Sequence, residues 1–67
     1  MIYGKHKTPV DRILIIFKKF YDKEHIDIYV AAEEFNVSTR TILRDIKIIK
    51  KIIPIKNNRK GDYSLTE

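Results

Sequence analysis

Ser38-Thr39-Arg40-Thr41-Ile42-Leu43-Arg44-Asp45-Ile46-Lys47-Ile48-Ile49-Lys50-Lys51-Ile52-Ile53 is the stretch whose reading decides this fold. Ile42, Ile46, Ile49 and Ile53 recur at helical spacing and form one apolar stripe. Arg40, Arg44, Lys47 and Lys51 keep the same rhythm two residues earlier, which at roughly 100° per residue puts them on the opposite side. One face seeks a core and the other seeks anions. Ser38 is the N-cap, because its hydroxyl can accept from the unpaired amides of the first turn. Pro54 ends the helix by disfavouring helical geometry at the residue before it. The pattern predicts a helix over 39–52, with Ile53 opening the next element.

Upstream, Asn36-Val37-Ser38 reads as a tight turn, Asn36 being suited to a left-handed C-cap. Before it lies a short helix over 28–35, capped by Asp27, with Ala31, Ala32 and Phe35 inward and Glu33 and Glu34 outward. Ile26 is placed to pack on Ala31 as a hydrophobic staple, or to add a very short strand. Thr8-Pro9 starts a first helix over 9–21, proline being favoured at the first helical position. Its apolar spacing predicts that Val10, Ile13, Leu14, Phe17, Phe20 and Tyr21 are buried, leaving Ile15 and Ile16 outside the stripe. Residues 1–7 carry no such period and are expected to form a flexible arm.

Downstream the period changes to two. Ile53 and Ile55 alternate with Pro54 and Lys56, and Tyr63 and Leu65 alternate with Asp62, Ser64 and Thr66. The intervening Asn57-Asn58-Arg59-Lys60-Gly61 reads as a turn, so residues 53–66 form a β-hairpin with Ile53, Ile55, Tyr63 and Leu65 facing the core. Two helices joined by a three-residue turn, the second of them basic on its outer face, make a helix-turn-helix, and the hairpin is its wing. The predicted architecture is mainly α with a small β-hairpin: a three-helix winged helix-turn-helix over 8–67.

The net charge of +5 is concentrated in one segment. Residues 38–61 hold eight basic side chains against the single Asp45, while residues 1–37 hold six of each sign. That is the electrostatic footprint of a nucleic-acid-binding face. The chain has no cysteine, so neither a disulfide framework nor a cysteine metal site is available. The N-terminus lacks the apolar run of a signal peptide and no stretch is long enough to span a bilayer, which points to a soluble cytoplasmic protein. His6 and His25 have no ligand-like spacing, and no nucleophile and base stand together; neither an enzyme nor a cofactor is expected.

A DNA major groove is about 12 Å wide and admits one α-helix, whose N-terminal residues reach base edges in helix-turn-helix docking. Arg40 and Arg44 are therefore the candidates for bidentate contact to guanine. Ser38, Thr39 and Thr41 suit phosphates at the positive end of the helix dipole. Leu43 either touches a thymine methyl or extends the core. Lys47 and Lys51 fall along the backbone, and Asn58, Arg59 and Lys60 at the hairpin tip offer a second contact. Asp45, the one acid in this segment, either orients a nearby arginine or repels wrong DNA registers.

From Ala31 to Ile46 the sequence resembles the winged helix-turn-helix domains of bacterial DeoR-type and WYL-domain transcription regulators, through Val37-Ser38-x-Arg40-Thr41-x-x-Arg44-Asp45. Ile53-Pro54-Ile55-Lys56 and Gly61-Asp62-Tyr63-Ser64-Leu65 are similar to their wing. The resemblance implies sequence-specific binding of double-stranded DNA by the third helix, the wing on flanking backbone, and usually a homodimer. Ala31 departs from it, standing where leucine is usual, with Phe35 or Phe17 available to fill the space. Those regulators carry a further effector or dimerisation domain, which is not expected within this chain. Two other readings compete: a protein-interaction module using Ile15, Ile16, Leu43 and Ile48, and a non-specific nucleic-acid binder.

Overall fold

The computed structural model describes residues 8–66. In chain order they form α1 (Pro9–Tyr21), β1 (Ile26–Asp27), α2 (Ile28–Phe35), α3 (Thr39–Ile49), β2 (Ile55–Arg59) and β3 (Asp62–Leu65). This is a three-helix winged helix-turn-helix of the α+β class. The anticipated arm, residues 1–7, lies outside the described residues.

Local chemistry sets the element boundaries. Thr8 Oγ1 accepts from Asp11 N at the start of α1. Asp27 Oδ1 accepts from Tyr29 N at 2.8 Å and Val30 N at 3.3 Å at the start of α2. Asn36 closes α2 at φ 57° and ψ 49°, the left-handed conformation that asparagine tolerates. Ser38 Oγ then accepts from Thr41 N at 3.2 Å.

α3 ends earlier than its apolar period suggests, at Ile49 rather than Ile52. Ile52 N donates to Ile49 O at 2.8 Å and Lys51 N to Ile48 O at 3.1 Å, so the chain tightens into i→i+3 turns before Pro54. Lys51 thus stands on the turn after the helix.

The strands form one antiparallel sheet in the order β1-β3-β2. Ile26 pairs with Tyr63, so the short strand allowed for at Ile26 exists and flanks the wing. β2 runs through Arg59, further than the expected tip, with an irregularity between Asn57 and Arg59. Asn57 Nδ2 donates to Arg59 O and Asp62 O and holds the strand in register there. Ile53 is half-buried and precedes the strand, and Ser64 is buried where alternation predicted an outward side chain. β3 is the central strand, and Asn58 Nδ2 folds across it to donate to Ser64 Oγ at 2.9 Å.

The core gathers Ile16 and Phe20 of α1, Ala31 and Ala32 of α2, the Ile42, Ile46 and Ile49 stripe of α3, and Ile26, Ile28 and Ile55. Full burial of each isoleucine or phenylalanine among them stabilises by about 1.5–3 kcal/mol. The face expected for α1 is rotated. Ile16 has no exposed surface, while Val10, Leu14 and Tyr21 are more than half exposed. Arg12, Ile16 and Phe20, four residues apart, form the stripe that meets the core. This overturns the partner surface drawn through Ile15 and Ile16, since Ile16 cannot face both the core and a partner. The space beside Ala31 also stays open, as a notch of about 140 Å³ against Ile16, Ile26, Val30 and Phe35. Among the described residues no helix is long and apolar enough to cross a membrane.

Candidate nucleic-acid interface

Helix α3 divides its side chains by sign and burial. Ile42, Ile46 and Ile49 are buried, whereas Arg40, Arg44 and Lys47 are exposed. From Arg40 to Lys47 the cationic row extends about 10 Å at 1.5 Å per residue. Lys51 continues it past the helix end, and Leu43 is partly exposed beside it, at 39 %. Leu43 lies outside the buried core, which removes one of the two roles open to it. Thr39 and Thr41 are half-buried at the N-terminus. The hydroxyls of Ser38 and Thr41 lie 3.0 Å apart, so both also belong to the cap.

Asp45, the single acid of α3, is turned away from this face and is 2 % exposed. Arg12 of α1 meets it with two nitrogens: Nε donates to Oδ2, and the guanidinium NH2 donates to Oδ1 at 3.1 Å. The hydrogen bond to Asp45 raises the Arg12 pKa above its already high ordinary value. Of the two roles open to Asp45, it therefore orients an arginine, though that arginine belongs to α1 and not to the basic segment. The outward face of α3 is left without a negative charge. Arg12 is the residue that sequence reasoning missed. Its signal was its place four residues before Ile16 and eight before Phe20, together with a lone acid facing the core side of the opposite helix.

In the wing, Arg59 and Lys60 are exposed at the tip. Asn58 is not equally free, since its amide donates to Asp62 Oδ2 at 3.1 Å as well as to Ser64. Asp62 also accepts from His25 Nδ1 at 3.1 and 3.2 Å, which ties the wing to the segment before β1. Chiefly through that bond the Asp62 pKa is held below the usual carboxylate value, against a smaller opposing effect of burial. Gly61, at φ 80°, gives its carbonyl to Ile28 N at 2.9 Å and anchors the tip to the start of α2. Among the described residues, no three His, Asp or Glu side chains gather where they could hold a metal ion.

A helix of groove-fitting width whose exposed charges are all positive, preceded by a tight turn and followed by a wing, defines a DNA-binding winged helix-turn-helix. A family model described as an HTH domain matches residues 12–61, and the chain belongs to that helix-turn-helix family. It is a DNA-binding domain of the kind used in transcription regulation. No curated protein and no solved structure matches the chain.

Proposed function

We propose that the domain reads a specific duplex sequence through Arg40 and Arg44, as a cytoplasmic transcription regulator of the DeoR or WYL type or the DNA-reading part of one. Thr39, Thr41, Lys47 and Lys51 engage phosphates and fix register, while Arg59 and Lys60 meet the flanking backbone. Ser38 and Asn58 act there mainly by holding the cap and the wing. A homodimer would place two such helices on half-sites about 34–36 Å apart, or a multiple of that distance.

The observation that carries this reading is the segregation on α3: every cation of the helix is exposed while its one acid is buried against Arg12. The motif supports the finer assignment, because in Arg44-Asp45 the first residue is exposed and the second is buried.

The deciding experiment is selection from a randomised duplex pool at two salt concentrations. An enriched motif with affinity falling steeply in salt is the expected result. Salt-sensitive binding without enrichment would reduce the domain to a backbone binder.

A further inference from the structure

The seam between α1 and α3 is largely apolar. Ile16 and Phe20 share the core with Ile42, Ile46 and Ile49. Along one side of the seam a groove of about 230 Å³ stays open between Ile13, Leu14 and Phe17 of α1 and Ile48 and Ile49 of α3, with Ile52 on the turn beyond the helix. Apolar contact is non-directional, so a row of isoleucines beside an open groove leaves α3 room to roll about its axis.

The polar contact across the same seam is directional. Arg12 meets both carboxylate oxygens of Asp45 with two nitrogens of one planar group, and the two residues are 8 and 2 % exposed. Both bonds form only when fork and carboxylate face each other. Asp45 directly follows Arg44 and stands five residues after Arg40, so what fixes its direction from the helix axis fixes theirs. With side chains a helix is about 10–12 Å across, and a roll of about 10° therefore moves an outer tip by about 1 Å. Binding groups have to be held to within about 0.5 Å. Net stability does not account for the pair, because apolar side chains of similar volume commonly stabilise such a site as well or better.

We infer that Arg12 is a positioning residue for sequence reading: through Asp45 it fixes the roll of α3, and so where Arg40 and Arg44 meet base edges, without touching DNA itself. This rests on the reading of Arg40 and Arg44 as base contacts.

The test compares the full chain with Arg12→Lys and with the double variant Arg12→Met, Asp45→Leu. Arg12→Lys keeps the charge and loses the fork, whereas the double variant removes both. Each is titrated with the duplex that the parent enriches from a random pool and with a scrambled duplex of equal length. The double variant should stay folded by circular dichroism and keep the parent's salt slope, since no phosphate contact is lost. In both variants the ratio of the two affinities should fall roughly tenfold or more, the scale of one well-formed bidentate base contact. Residual dipolar couplings measured without DNA should show α3 of the double variant reoriented relative to α1. A pair that only stabilises the fold would change the melting temperature and leave both the ratio and the couplings where they were. A folded double variant with the parental ratio, or with parental couplings, would therefore overturn the inference. A parent that discriminates between no duplexes would overturn the reading of Arg40 and Arg44 and the inference with it, and is told apart because the failure then lies in the parent.

Discussion

Arg12 and Asp45, thirty-three residues apart, form a buried two-point ion pair between α1 and α3. Its planar, forked geometry fixes rotation as well as distance, so the pair sets how α3 is turned about its axis relative to α1. A packed apolar contact would leave that rotation freer.

Removing one partner leaves a buried charge without compensation. Asp45→Ala is expected to cost about 3–5 kcal/mol, enough to unfold much of so small a domain. Replacing both residues with apolar side chains of similar volume should recover most of that loss. Thermal melts of the single and double variants check it, and a double variant as unstable as the single would sink the argument.

Arg44→Ala should separate reading from folding. Its side chain is exposed, so stability should move by no more than about 0.5 kcal/mol. Binding to the selected duplex should weaken by about 1–3 kcal/mol and preference at one base pair should relax. Lys47→Ala should instead weaken all duplexes alike and lower the salt slope by about one. Titrations at several salt concentrations distinguish the two.

Gly61→Ala tests the wing anchor. At φ 80° an L-residue is strained by about 1–2 kcal/mol, and the added Cβ would lie 2.7 Å from a Tyr29 ring carbon. Tyr29 is half exposed and can swing outward, so backbone strain dominates. Urea unfolding should therefore show that Tyr29→Ala fails to rescue Gly61→Ala.

Acid should loosen the wing through Asp62. Its native pKa is depressed, so the unfolded chain binds the proton more readily. The contribution is fully present above the ordinary unfolded value near 3.9 and is lost as pH falls through the lower native value. Below about pH 4 the stability of Asp62→Asn should fall less steeply with acid than that of the parent. Unfolding midpoints measured across that range, with His25→Ala as a second break of the same bond, decide it.

What could be read in advance was what is local. Thr8, Asp27, Asn36 and Ser38 announce helix ends because a cap acts on amides within its own turn. The faces of α1 were harder to assign. Val10, Leu14 and Tyr21 have helical spacing, and so do Ile16 and Phe20, and a period cannot choose between two apolar stripes when one of them contains an arginine. That arginine became legible only beside Asp45, a partner brought near by tertiary packing. Asn58 illustrates the same limit. Its composition suggested a free tip, but the bulge in β2 turns its amide back on β3. The roles of Arg40, Arg44 and the wing cations depend on a DNA sequence that the chain does not encode.

The pairing of Ile26 with Tyr63 has a consequence in time. β1 has no strand to bond until Tyr63, thirty-seven residues beyond Ile26, has been made, and closing so long a loop is the slow part of building a small domain. The three helices need only one another to begin packing, but Ile26 and Ile28 wait for their cover. An element between the first two helices is therefore completed only by residues made after the third.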